Sequence, residues 1–237
     1  MGNKIFLLGV GINDLRINEV LELIIKGLGK NNEKYYVVTP NPEILVLANE
    51  DPSYKKVLNG AKLALPDGIG VMMASRLLSK PLREVVHGVD LMEKLCKEVS
   101  KQPITVGFLG AGPHVAELTA ECLREKYPEL KINFTETEWN FAKKYSETDI
   151  LFVAFGSPKQ EIWIAENISK LPVKVAIGVG GAFDFVSGKV RRAPVFMQKL
   201  GLEWLFRLII EPWRIKRQLK LIKFIFLVLK EKFSKMV

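Results

Sequence analysis

The sequence predicts an α/β fold: a mostly parallel sheet with helices on both faces, followed by a basic, amphipathic, helical C-terminal appendage. Three observations carry that reading. Short apolar runs alternate with longer amphipathic ones along most of the chain, the pattern of strand–helix–strand units. Loops rich in Gly, Pro, Asn and Asp follow the strand candidates, and in parallel sheets ligands sit at the carboxyl ends of the strands. Finally, the charge is segregated. Residues 1–190 are neutral overall, whereas residues 191–237 hold 12 of the 35 Lys and Arg and only three of the 26 acids, and so the whole net charge of +9.

The strand candidates are residues 5–8, 35–38, 63–65, 104–109, 132–134, 150–154 and 173–177. The helix candidates are 18–28, 42–49, 68–78, 89–100, 114–127, 159–169 and 194–210. No repeat or low-complexity linker interrupts them, so residues 1–190 read as one Rossmann-like α/β domain and 191–237 as the appendage. At 237 residues and 48% hydrophobic the chain can bury a full core. Its longest apolar run in the tail, residues 224–229, is six residues, far short of the roughly 20 a spanning helix needs. The N-terminus lacks the basic and apolar regions of a signal peptide. Cys96 and Cys122 fall in helical patterns without ligand spacing, and His87 and His114 are the only histidines. Reduced core thiols in a cytoplasmic protein are expected, with no zinc or iron site.

The loops are taken in chain order. In Thr39-Pro40-Asn41-Pro42-Glu43, Asn41 is a good helix cap and Pro42 suits the first helical position. The same prolines would hold a hydroxyl and an amide rigidly at a strand end. In Pro66-Asp67-Gly68-Ile69-Gly70, Asp67 reads equally as a cap or as a carboxylate at the ligand edge. A helix N-terminus would make it a weak base, able to take a proton late in a displacement. Gly110-Ala111-Gly112-Pro113-His114 places Gly110 and Gly112 where phosphate can be cradled. Val115 replaces the third glycine of a dinucleotide fingerprint, which argues against a standard NAD site. In Gly156-Ser157-Pro158-Lys159-Gln160-Glu161, Ser157 can cap, while Lys159 and Gln160 would face the ligand edge as an anion contact and an amide donor. Gly178-Val179-Gly180-Gly181 brings Gly180 and Gly181 close to a ligand or another strand.

In the tail, Arg207, Arg214 and Arg217 share one face of a helix that Pro212 would kink. Ile215, Leu219, Ile222, Phe226, Leu229 and Phe233 make an apolar stripe flanked by lysines. A membrane surface, docking on the body and a second subunit all fit such a stripe. Nucleic acid does not fit, because the body has no basic face.

Read as an ordered set, these stretches resemble the WecG/TagA/CpsF family, glycosyltransferase family 26. Val37-Val38-Thr39-Pro40-Asn41-Pro42-Glu43, Leu65-Pro66-Asp67-Gly68-Ile69-Gly70-Val71, Gly156-Ser157-Pro158-Lys159-Gln160-Glu161, Gly178 to Phe185, Arg191-Arg192-Ala193-Pro194, Leu200 to Trp204 and Glu211-Pro212 carry the likeness, from about residue 5 to 217. It is most like the branch serving wall teichoic acid linkage-unit synthesis. The resemblance implies an inverting, metal-independent transfer without cofactor, moving N-acetylmannosamine from a UDP-sugar donor. The implied acceptor is polyprenyl-diphosphate-linked N-acetylglucosamine at the cytoplasmic face of the membrane. UDP-N-acetylmannosaminuronic acid or a UDP-hexose are the alternative donors.

The resemblance also assigns roles. Asp67 is the base, Thr39, Asn41 and Gln160 line the pocket, and Arg207, Arg214 and Arg217 reach a pyrophosphate, with Arg214 counted as catalytic. Residues 135–148 are shorter than the family's corresponding stretch, so no contact is assigned from them. Two rivals remain at this level: a nucleotide-dependent oxidoreductase, disfavoured by the missing glycine, and a membrane-bound scaffold, which leaves the Pro-Asp-Gly loop without a purpose.

Overall fold

Along the central strands, neighbouring side chains pack into opposite cores. Ile150, Phe152 and Ala154 belong to one apolar cluster, and Leu151 and Val153 to the other. That two-residue period with both faces apolar is what a sheet covered on both sides demands. The computed structural model describes residues 3–29 and 33–234, apart from the side chains of 214 and 216–218.

The chain begins with a hairpin, β1 (Lys4–Leu7) and β2 (Val10–Asn13), paired antiparallel. Against expectation, this first apolar run does not join the main sheet. Leu8 and Gly9 both take positive φ and turn the chain back on itself. Buried Asn13 then ties the hairpin to the sheet's edge, its Oδ1 accepting from Ala64 N at 2.8 Å.

The six remaining strands are β3 (Tyr35–Val38), β4 (Leu63–Ala64), β5 (Thr105–Gly110), β6 (Lys131–Glu136), β7 (Thr148–Ala154) and β8 (Val173–Gly178). They lie in the order β4-β3-β8-β7-β5-β6, and every pairing is parallel. Against one face pack α1 (Ile17–Leu28), α5 (Gly88–Val99), α6 (Val115–Lys126) and α8 (Ala182–Val186). The other face carries the hairpin, α2 (Pro42–Glu50), α3 (Pro52–Gly60), α4 (Ile69–Leu77) and α7 (Lys159–Asn167). The α/β class with helices on both faces is as the sequence predicts. Helix α3 was not expected, although Asp51 caps it from Oδ1 and Pro52 opens it.

The expected helix over 194–210 is two pieces, α9 (Val195–Lys199) and α10 (Glu203–Ile210). Gly201 separates them at φ 71, and a Cβ there would lie 2.8 Å from the Ile69 side chain, so only glycine fits that turn. Pro212 does not kink a continuous helix. It ends one, and a 3-10 turn, Pro212–Arg214, leads into the long α11 (Ile215–Ser234). Arg207, Arg214 and Arg217 therefore fall on three successive segments rather than on one helical face.

Helix α11 lies against α2 and α4. Phe224 and Val228 are buried in the same core cluster as the hairpin and α2. Glu231 Oε2 accepts from Leu8 N at 2.9 Å, and Lys223 pairs with Glu50. The opposite side of α11 is the apolar stripe read from the sequence, with Leu219, Ile222 and Phe226 each about two-thirds exposed. Among the described residues no helix is long and apolar enough to cross a membrane.

These two faces predict opposite responses within one helix. Phe224→Ala should cost about 3 kcal/mol of stability, whereas Phe226→Ala should stay within about 0.5 kcal/mol of the wild type. Denaturant unfolding of the two variants checks this.

Candidate active site

Because every strand of the sheet is parallel, all the loops singled out above leave from the same edge. Backbone hydrogen bonds carry the pairing past the strand ends and join these loops side by side. Asp67 N donates to Pro40 O at 3.0 Å, Val179 N to Val153 O at 2.9 Å and Ala111 N to Ala154 O at 2.9 Å. Thr39, nearly buried, donates from Oγ1 to Gly178 O at 3.3 Å. The loops after β4, β3, β8, β7 and β5 thus form one rim. Gly110, at φ 108, ends β5 just before the last of them, and a Cβ there would sit 2.9 Å from the backbone of Ala154. The two loops can close together only with glycine at that position.

Asn41 caps α2, its Oδ1 accepting from Ile44 N at 3.0 Å. Asp67 does not cap the helix that follows it. Helix α4 starts at Ile69, with Gly68 at the cap position and no side-chain bond there. Asp67 Oδ1 instead meets Nδ1 of His87 at 2.6 Å. His87 precedes α5 and is held to the same loop, since Val86 N donates to Pro66 O at 2.8 Å.

The other ring nitrogen of His87 faces Glu203 Oε2, from α10, at 3.9 Å. Burial opposes charge on this imidazole, but the Asp67 hydrogen bond and the carboxylates of Asp67, Glu203 and Asp90 outweigh it and raise the pKa to about 9. His87 and Glu203 were invisible as site residues in the sequence. The one available signal was that His87 stands immediately before a helix.

Glu203 is itself fixed. Its Oε1 accepts from Arg192 Nε at 3.0 Å, and Arg192 forks onto both oxygens of Asp90 at 2.5 and 2.9 Å. Such a bidentate guanidinium–carboxylate pair sets direction as well as distance. It fastens the start of the appendage to α5.

Gln160 is not presented to the edge as a donor. It is buried, with Oε1 accepting from Gly156 N at 3.2 Å and from Gly180 N at 3.1 Å. Its Nε2 donates to Glu161 Oε1 at 2.8 Å. Glu161, fully buried, also accepts from Ser157 Oγ at 2.7 Å and Tyr54 OH at 3.0 Å. Ser157 thus serves Glu161 rather than capping α7, which starts at Lys159 behind Pro158.

The cations at the rim come from separate elements. Lys159 is exposed and lies over the Phe155 ring, 5.2 Å from its centroid. It lines a cavity of about 210 Å³ with Ala111, Ala154, Phe155, Thr137 and Glu138. The last two belong to the short 135–148 stretch, from which the sequence assigned nothing. Trp139 holds that stretch in place, stacked 4.1 Å from Tyr145 and in contact with Phe134 and Trp163.

Lys189 reaches Gly112, where a Cβ would lie 3.2 Å from Nζ. Arg207, from α10, reaches Gly181 in the same way at 3.3 Å, lies 4.6 Å over Phe185 and pairs with Glu211 at 2.8 Å. The side chains of Arg214 and Arg217 lie outside the described residues. What remains is a carboxylate paired with an imidazole, beside glycine loops and dispersed cations. That arrangement suits an anionic ligand and a proton acceptor.

If Gln160 acts chiefly by joining these loops, its removal must be felt without any ligand. Gln160→Ala leaves the half-buried amides of Gly156 and Gly180 and the buried Glu161 without their partner and should lower stability by roughly 2 kcal/mol. The measurement is denaturant unfolding of the ligand-free protein. A side chain that only touched substrate would leave the midpoint unchanged.

The chain was compared with known proteins. Residues 5–237 match the model of the Glycosyl transferase WecG/TagA/CpsF family. Several relatives are named N-acetylglucosaminyldiphosphoundecaprenol N-acetyl-beta-D-mannosaminyltransferase. One from Bacillus spizizenii is 39% identical over 206 residues, covering 84% of this chain and 80% of the relative. One from Bacillus subtilis is 37% identical over 218 residues, covering 86% and 85%. One from Staphylococcus aureus strain MRSA252 is 31% identical over 237 residues, covering 97% and 93%. A match that spans nearly the whole chain, with every rim loop inside it, means that the chain belongs to the WecG/TagA/CpsF family of glycosyl transferases.

Proposed function

We propose that this protein transfers N-acetylmannosamine from UDP-N-acetylmannosamine to N-acetylglucosamine carried on a polyprenyl diphosphate. The observation that carries the reading is Asp67, a carboxylate held at the carboxyl edge of the parallel sheet by its backbone and by His87. The relatives' names supply the acceptor and the β product. An α-linked nucleotide sugar attacked once at its anomeric carbon gives a β product, so a single inverting displacement suffices.

In that step Asp67 takes the proton of the acceptor hydroxyl, and the oxygen bonds to the anomeric carbon. The bond from that carbon to the diphosphate oxygen breaks, and UDP departs with the electron pair. The growing charge on the diphosphate calls for cations positioned in advance. Arg207, Arg214 and Arg217 of the appendage are assigned to it, since guanidinium can grip phosphate with two parallel donors. Thr39, Gly180 and Gly181 shape the floor of the pocket. Asn41 and Gln160 hold its loops in place, and Gly110, Gly112 and Lys159 form its far side.

UDP release from UDP-N-acetylmannosamine, measured in EDTA with and without the lipid-diphosphate acceptor, tests the reading. Acceptor-dependent release is expected, and Asp67→Asn should lower kcat by about 10² to 10⁴ with folding intact. Near-normal turnover by Asp67→Asn would remove the base assignment.

The appendage is proposed to rest on the cytoplasmic face of the membrane. Support comes from the exposed stripe on α11 and from the +9 concentrated beyond residue 190, the combination that favours an anionic lipid surface. Deleting the appendage is a poor test, because Phe224 and Val228 complete the core. Leu219→Glu with Phe226→Glu is the better one. Sedimentation with anionic vesicles should fall by tenfold or more, on the order of 1.4 kcal/mol at least, at an unchanged unfolding midpoint. Equal sedimentation would refute the assignment of this stripe.

A further inference from the structure

Taking Asp67 as the base, as proposed above, we infer that His87 is a positioning residue for it, and that Glu203 of the appendage holds His87 in that role. The geometry is a chain of contacts from the base to the tail. Asp67 Oδ1 meets His87 Nδ1 at 2.6 Å, His87 Nε2 faces Glu203 Oε2 at 3.9 Å, and Glu203 is bonded through Arg192 to Asp90.

None of these groups is loosely placed. The backbone of Asp67 is bonded to Pro40, and that of Val86 to Pro66. Gly88, next to His87, packs so closely on the β8 loop that a Cβ would lie 3.2 Å from Val179 O. An imidazole donating to Oδ1 fixes the plane of the carboxylate and leaves Oδ2 to face an incoming hydroxyl. This arrangement orients a base without touching the substrate.

The charged groups around His87 are Asp67 from the β4 loop, Asp90 from α5 and Glu203 from α10, with Arg192 bonded to the last two. Three carboxylates stabilise the protonated ring, which donates from Nδ1 to Asp67 and faces Glu203 across 3.9 Å as an ion pair. On losing a proton, the ring loses the charge that strengthens its bond to Asp67 and draws it toward Glu203. Orientation of the base should therefore weaken as pH rises through the value of about 9 held by His87. Glu203 belongs to α10, the helix that also carries Arg207. The base is thus oriented fully only when the appendage lies against the body.

The experiment compares wild type, His87→Gln, Glu203→Gln and Asp67→Asn. Wild-type kcat should fall on an alkaline limb near pH 9. Glu203→Gln should move that limb to lower pH, because one carboxylate holding the proton is gone. His87→Gln should lack the limb and lose roughly tenfold to a hundredfold in kcat, with the donor KM within about twofold. Wild-type kcat in His87→Gln, or an unmoved limb in Glu203→Gln, would overturn the inference.

A second readout does not depend on activity. The chain has only two histidines, so NMR titration resolves the His87 imidazole once His87→Gln identifies its signal. It should titrate near 9, and lower in both Asp67→Asn and Glu203→Gln. Titration at the ordinary value of 6.5 would overturn the inference even with an active enzyme. Should the wild type turn over no UDP-sugar, the functional reading fails, and the titration alone decides whether His87 is held between the two carboxylates.

Discussion

The rim depends on one buried polar node, the pair Gln160 and Glu161. Two adjacent side chains at the start of α7 make five hydrogen bonds: to the backbones of Gly156 and Gly180, to the hydroxyls of Ser157 and Tyr54, and to each other. A carboxylate with no exposure is tolerable only when donors surround it, and here three do. The glycine loop after β8 has few side chains with which to hold itself, so Gln160 supplies the contact from outside. Helix α3 is recruited to the same node through Tyr54, on the face of the sheet that also receives α11. The node therefore sets the spacing of the β7 and β8 loops on which Thr39 and Arg207 converge.

Much of this was legible in the sequence, for identifiable reasons. Strand β3 was read at its true ends because aromatic and β-branched residues run straight into Thr-Pro. Helix α2 was read from Asn41-Pro42. The Asp51-Pro52 start of α3 has the same form and was passed over, because Tyr54 and Leu58 are its only buried positions and the apolar period is faint. The hairpin was half seen. Its second strand contains Gly11, weak as a strand former, and is held by the side chain of Asn13 reaching β4, a contact between distant residues that local pattern cannot supply.

The site divides along the same line. Which loops meet at the rim followed from strand order. What each side chain does there did not, because Asp and Gln offer the same groups to a helix end, to a partner across the fold and to a ligand. Asp67 turned to His87, 20 residues away, and Gln160 turned inward. The proline effect at 212 was also stronger than expected, since Glu211 already leaves helical geometry at φ −121 and ψ 73.

Arg207 has one more consequence. Its guanidinium is clamped between the Phe185 ring and Glu211 while pointing at Gly181. A long side chain normally gives up much of its rotational freedom when it grips a ligand. This one gives it up when the chain folds, so on the proposed reading a diphosphate at the β8 glycines would meet a donor that is already aimed. Affinity gained in this way is expressed as slow departure more than as fast arrival. Glu211, at 2.8 Å, keeps this guanidinium partly neutralised in the resting protein.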